Sequence, residues 1–228
     1  MALDFYTNVQ LIGNQFLVRG VRNGQRYEMR DEFFPTMFVK SKKNTKYRTL
    51  TGETVEEVSP GTVRDCREFY KKYDDVDGFA IYGNDRYIYQ YISDKYPQEE
   101  IKFDISQIKL VTLDIETTSE YGFPDVESCQ EEILAITIQD YTTKEIITWG
   151  RRPFAKKQKN VTYYHCPGEQ ELLGHFINYW MTDVPDVITG WNIQLFDIPY
   201  ICKRLNRVLG EKLMKRFSPW GLVSEDET

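Results

Sequence analysis

Three carboxylates stand out by type and spacing: Asp114 and Glu116 in LVTLDIETTS at 110–119, and Asp197 in GWNIQLFDIPYI at 190–201. In a strand, residues two apart project to one face, so Asp114 and Glu116 emerge together, about 6–7 Å apart along the backbone. Two carboxylates held this way repel each other unless a cation sits between them. Hard oxygen donors of this kind suit Mg²⁺ or Mn²⁺ rather than zinc. Val111, Leu113 and Ile115 form the apolar wall behind them, as a central strand requires. The competing reading is a solvent-facing strand that happens to be acidic.

The elements that position the third carboxylate can be read from the same stretch. VITGW reads as a strand ending in glycine. Pro199 is tolerated only in a first helical turn, so a helix should begin near Phe196 or Asp197. Ile198, Ile201, Leu205 and Val208 fall at helical spacing, and Gly210 should stop the helix. Asp197 then sits where the chain leaves the carboxyl end of a strand, a usual place for ligand-binding groups in open α/β sheets. Its plainer reading is a helix N-terminal Asp favoured by the macrodipole.

Together these segments resemble the N-terminal part of a family B DNA polymerase, of the kind found in T4-like bacteriophages. DIETTSEYGFPD resembles the first exonuclease motif of that family, and GWNIQLFDIPYICKRL the second, of form Asn-x-x-x-Phe-Asp. CPGEQELLGHFINYWMTDVPDVITGWN is similar to the helix-then-strand connection between them. The resemblance runs along the whole chain, more loosely over residues 1–105. It implies a ribonuclease H-like proofreading domain that removes mispaired 3′ nucleotides, with two ions about 3.5–4 Å apart assisting an in-line displacement. Asp114, Glu116 and Asp197 would be the catalytic and metal-ligating residues. Thr117, Thr118, Asn192 and Phe196 would contact or shape the pocket for the primer terminus. The implied partners are a single-stranded DNA 3′ end and the remainder of the polymerase.

The family's third motif, Tyr-x-x-x-Asp, follows the second and supplies a fourth carboxylate. Tyr70 to Asp74 and Tyr179 to Asp183 have that spacing but precede Asp197. Tyr179 reads as part of an amphipathic helix and Asp74 as a helix-end acid. No polymerase signature such as Asp-Thr-Asp-Ser is present. The chain therefore reads as a fragment, expected to be nearly inactive alone as an exonuclease. The alternative function is a non-catalytic module binding single-stranded DNA or messenger RNA.

The expected fold class is α/β: a mixed α/β domain over 1–105, then an incomplete ribonuclease H-like mixed-sheet domain over 106–228. In the first, FYTNVQLIG, QFLVRGVR and RYEMRDEF read as strands, with Asn23-Gly24 as a hairpin turn. TMFVKS and KYRTLTG should continue that sheet, and TVRDCREFYKKYDD should be a helix with Val63, Cys66, Phe69, Tyr70 and Tyr73 as a core stripe. GFAIYGNDRYIYQYISDKYP should add a strand and a short helix. Its tyrosines could stack bases, though at such density they are also ordinary packing. By resemblance this domain helps hold template, and in some members it binds messenger RNA. The strand near 186–190 should present an open edge for self-association. Terminal Glu225, Asp226 and Glu227 should fray.

Composition sets limits. The 228 residues carry 29 basic against 35 acidic side chains, net −6, acidic for a nucleic-acid protein. Local clusters run the other way: Lys40, Lys42, Lys43, Lys46 and Arg48 in one segment, and Arg151, Arg152, Lys156, Lys157 and Lys159 in another. Each is either a nucleic-acid patch or a solvated loop. Cys66, Cys129, Cys166 and Cys202 are scattered, suggesting neither zinc nor a disulfide framework. With only His165 and His175, a histidine-dependent exonuclease is not indicated. No signal peptide or membrane-length apolar run is present, so the implied setting is the cytoplasm of an infected bacterial cell.

Overall fold

The computed structural model describes residues 4–97 and 100–224. The chain divides into two compact units, Met1–Gln107 and Ile108–Thr228. Glu225, Asp226 and Glu227 lie outside the described residues.

In the first unit, β1 (Phe5–Ile12), β2 (Gln15–Arg22) and β3 (Gln25–Glu32) form an antiparallel three-stranded sheet. Asn23 and Gly24 have φ of 51° and 76°, the two left-handed residues that a tight two-residue hairpin needs. TMFVKS and KYRTLTG do not continue this sheet. Instead β4 (Met37–Lys40), β5 (Tyr47–Arg48), β6 (Thr54–Val58) and β7 (Ile81–Tyr82) make a second sheet in the order β5-β6-β4-β7. The strand that organises it, β6, is not evident from the sequence because Glu56 and Glu57 sit in its middle. Those acids bind groups from elsewhere in the unit, Lys43 of the β4–β5 connection to Glu56 (3.1 Å) and the Tyr47 hydroxyl of β5 to Glu57 (3.2 Å).

Helix α1 (Val63–Tyr73) starts in a reciprocal cap, in which Thr62 and Asp65 satisfy each other's backbone N–H groups. Val63 and Cys66 are buried and Phe69 packs beside them, as its stripe predicts, but Tyr70 is exposed. In α2 (Tyr87–Lys95), Tyr87 and Tyr91 are buried, so these rings are packing groups rather than a base-stacking surface.

In the second unit, β8 (Leu110–Thr117), β9 (Ile133–Asp140), β10 (Ile146–Gly150), β11 (Val161–His165) and β12 (Val187–Thr189) form one mixed sheet. Their order is β11-β10-β9-β8-β12. β8 pairs antiparallel with β9 and parallel with β12, whereas β10 pairs antiparallel with β9 and parallel with β11. Helices α3 (Glu169–Thr182) and α4 (Asp197–Leu209) cover one face, and a short α5 (Glu211–Met214) follows. The core joins Val111, Leu113 and Ile115 of β8 to Leu172, Phe176 and Trp180 of α3 and Tyr200, Ile201 and Leu205 of α4. All four cysteines are free thiols. Among the described residues, no helix is long and apolar enough to cross a membrane.

Candidate active site

Burial along β8 alternates residue by residue. Val111, Leu113 and Ile115 point into the core, while Asp114 and Glu116 stand exposed on the other face. Cross-strand register extends that face into rows. Asp114 lies opposite Thr137, which lies opposite Thr148, which lies opposite Tyr163. Glu116, Ala135, Gly150 and His165 form the next row. The two carboxylates thus look out over a polar, small-residue surface while the helices hold the opposite side.

Asp197 arrives from a connection whose shape depends on two residues. Gly190 ends β12 so close to β8 that an added Cβ would lie 2.5 Å from the Leu113 carbonyl oxygen. Asn192 takes a left-handed φ of 56°, and its carbonyl accepts the N–H groups of Leu195 (3.1 Å) and Phe196 (3.0 Å). Helix α4 then begins at Asp197, with Pro199 inside its first turn. Asp197 is more than a helix-end acid. It is 4% exposed, and its Oδ1 accepts the Ile115 N–H at 3.0 Å, between Asp114 and Glu116 in sequence. Burial pushes its carboxyl above the ordinary aspartate range, and the charges of Asp114 and Glu116 add to the shift. The Ile115 N–H only partly offsets this.

A buried polar hub fixes this geometry, and its members are not evident from the sequence. Arg204, two turns along α4 from Asp197 on the same face, forks onto Glu169 at the start of α3, with Nε–Oε1 at 2.8 Å. Its Nη1 also donates to the Cys129 carbonyl at 3.0 Å, and Glu169 accepts the Ile133 N–H at 2.8 Å. The Tyr200 hydroxyl donates to the Glu131 carbonyl at 2.8 Å. The buried Glu131 carboxylate in turn accepts the Thr118 hydroxyl and the Tyr121 N–H. Burial alone would raise the Glu131 carboxyl, but these hydrogen bonds outweigh it and hold it below the usual range. The connection from β8 to β9 is thereby tied to the helix that carries Asp197. The one sequence signal is that Glu169 and Arg204 occupy apolar-face positions of their helices.

The remaining candidates are spread around this centre. Thr117 donates its hydroxyl to the Thr118 carbonyl (3.0 Å), and the Thr118 hydroxyl is committed to Glu131. Phe196 is half-buried, its ring 5.3 Å from Tyr200 and 6.5 Å from the exposed Phe123. Asp183 caps the far end of α3 and pairs with Lys109, before β8 begins. Five residues of strand, about 16 Å, separate Lys109 from Asp114, so Asp183 does not join the carboxylates. Asp74 caps α1 in the other unit.

The basic clusters are partly consumed by acids and backbone carbonyls. Lys43 pairs with Glu56, Arg48 bonds the Tyr47 carbonyl (2.8 Å), and Arg151 pairs with Glu132. Lys42, Lys46 and Arg152 are exposed.

The donor chemistry of the carboxylate group fits a hard divalent cation: oxygen ligands only, with mutual repulsion that a cation would relieve. Among the described residues, no three His, Cys, Asp or Glu side chains are gathered as a cage.

Comparison with known proteins follows the same lines. The chain is 31% identical over 246 residues to the DNA-directed DNA polymerase of Enterobacteria phage T4, covering 96% of this chain and 27% of that protein. It is 30% identical over 244 residues to the DNA-directed DNA polymerase of Escherichia phage RB69, covering 95% of this chain and 27% of that one. A DNA polymerase catalytic subunit of human herpesvirus 6A is 30% identical over 104 residues, 42% of this chain and 10% of its own length. The chain thus spans about a quarter of the length of its phage relatives. Residues 81–227, more than half the chain and including all three carboxylates, match the exonuclease domain of DNA polymerase family B, and the chain belongs to that family.

Proposed function

We propose that this chain carries the 3′→5′ exonuclease function of a replicative DNA polymerase, removing mispaired nucleotides from single-stranded DNA 3′ ends. One observation carries the reading. Asp114 and Glu116 share the polar face of β8, and the buried Asp197, bonded to the backbone between them, feels their charge. These three residues would hold Mg²⁺ or Mn²⁺, two ions in the complete domain. When bound, such ions activate water and stabilise the leaving oxygen of an in-line displacement.

The chain's own residues do the rest. The Ile115 N–H fixes the rotamer of Asp197, so this carboxylate need not be ordered when substrate arrives. Glu131 holds Thr118 and the Tyr121 backbone, which sets the path of the segment carrying Thr117 and Phe123. Asn192 turns the chain so that the Phe196 ring lies beside Phe123, an apolar wall for a terminal base. Thr117 is the hydroxyl best suited to contact the terminal nucleotide, and Thr118 acts through the loop it braces. The partners proposed from the phage relatives are DNA and the remainder of a polymerase, in the cytoplasm of an infected bacterial cell. RNA is the alternative ligand for the first unit, through Lys42 and Lys46.

The test is degradation of 3′-ended single-stranded DNA in Mg²⁺ and in Mn²⁺, beside Asp114→Ala. Release of nucleotides that the substitution abolishes is the expected result. Release that ignores the substitution would overturn the reading. So would the absence of both release and any Asp114-dependent divalent binding by calorimetry.

A further inference from the structure

The segment Arg151–Asn160, which links β10 to β11, contains five lysines and arginines and no acid. Its ends are pinned. The Arg151 N–H donates to the Leu134 carbonyl (2.9 Å), and the Asn160 carbonyl accepts the Ile146 N–H (2.8 Å). Its first residues are held further, because the Tyr163 hydroxyl donates to the Arg152 carbonyl and Phe154 packs on Tyr163 at 5.3 Å.

Tyr163 decides where this segment lies. By register it belongs to the row Asp114–Thr137–Thr148–Tyr163, on the carboxylate face of the sheet. Its neighbour Tyr164 belongs to the other face, stacked on the buried Trp149. Gly150 keeps the arrangement possible, since a Cβ there would collide with the Tyr163 hydroxyl and come within 2.8 Å of its Cζ. The start of the basic segment, Arg152 to Phe154, is therefore anchored on the same face as Asp114 and Glu116, at the β11 edge of the sheet.

We infer that residues 151–160 form a phosphate-binding strap for single-stranded DNA whose 3′ end lies at Asp114 and Glu116. The inference rests on the exonuclease reading of those carboxylates. Arg151 is spent on Glu132, but Arg152, Lys156, Lys157 and Lys159 are exposed and make no ion pair among the described residues. The half-exposed ring of Phe154 adds a face on which a base can stack. Three strand spacings separate β8 from β11, about 14 Å, or about four stacked nucleotides at about 3.4 Å each. The carboxylates repel backbone phosphates in the absence of metal, so a strap at this distance holds the strand where the site itself cannot. It also reconciles a chain of net charge −6 with a polyanionic substrate, because the cations are concentrated on the face that uses them.

The full chain is titrated in chelator, so that nothing is cut, with 3′-labelled oligothymidylates of about three and about ten nucleotides at several salt concentrations. The unsubstituted chain should bind the longer strand more tightly. Lys156→Ala/Lys157→Ala/Lys159→Ala should erase that length preference and flatten the log–log salt slope by about 2, at about 0.7 per phosphate contact. These are surface lysines, so folding is unaffected, and the short oligonucleotide serves as the internal control. An unchanged affinity and slope for the long strand would overturn the strap. Failure of the exonuclease reading is seen separately, as cleavage in Mn²⁺ that survives Asp114→Ala.

Discussion

Arg204→Met puts the polar hub to the most direct test. Arg204 and Glu169 are 5% and 6% exposed, and the guanidinium also serves the Cys129 and Gln130 carbonyls at 3.0 and 3.4 Å. Methionine keeps most of the volume but leaves the Glu169 carboxylate buried beside only the Ile133 N–H. Stranding one partner of a buried ion pair costs about 3–5 kcal/mol, a large share of the about 5–15 kcal/mol that holds a domain. With a urea dependence of about 2 kcal/mol per M, the midpoint should fall by about 2 M. All four tryptophans, Trp149, Trp180, Trp191 and Trp220, lie in the second unit, so their fluorescence follows that unit alone. Adding Glu169→Gln removes the stranded charge while keeping an acceptor for Ile133, and the double variant should recover more than half of the lost midpoint. A fall below about 0.5 M for the single variant, on that same scale, would refute the hub's role. So would a double variant that is worse than either single one.

Three further outcomes are expected. The Glu131 carboxyl is held below its unfolded value of about 4.3, so its contribution is complete above that pH and is lost as pH falls through the folded value. Glu131→Gln should therefore flatten the acid limb of tryptophan-monitored stability, and an unchanged limb would remove this role. Gly190→Ala drives a methyl against the Leu113 backbone carbonyl, which cannot swing aside as a side chain would. It should cost about 1–3 kcal/mol and displace β8 beside Asp114, whereas a normal melting midpoint with normal nuclease activity would contradict the packing argument. Saturating Mn²⁺, at about a hundred times its dissociation constant, should stabilise the second unit by about 2.7 kcal/mol. Chelation should reverse that gain and Asp114→Asn/Glu116→Gln should prevent it. A midpoint indifferent to the ion in the unsubstituted chain would sink the metal assignment.

Local rules written into the chain account for part of this architecture. The alternation of LVTLDIET is enough to place Asp114 and Glu116 together against an apolar wall, because a strand's two-residue period is a property of the backbone. Pro199 and Gly210 bracket α4, and Asn23-Gly24 closes the first hairpin, for equally local reasons. The division of the first unit into two sheets was not legible, since β6 carries its acids in mid-strand and looks like a loop until Lys43 and Tyr47 are beside it. Nor was the hub: the partners of Glu131, Glu169 and Arg204 lie 10 to 75 positions away. Only the folded chain brings the Asp197 carboxylate to the Ile115 N–H, 82 residues distant, and anchors Arg152 and Phe154, at the start of the basic segment, on the carboxylate face. Spacing along a strand or helix sets which residues share a face. Which buried charges find each other depends on desolvation and register, and these exist only once the sheet and helices have closed.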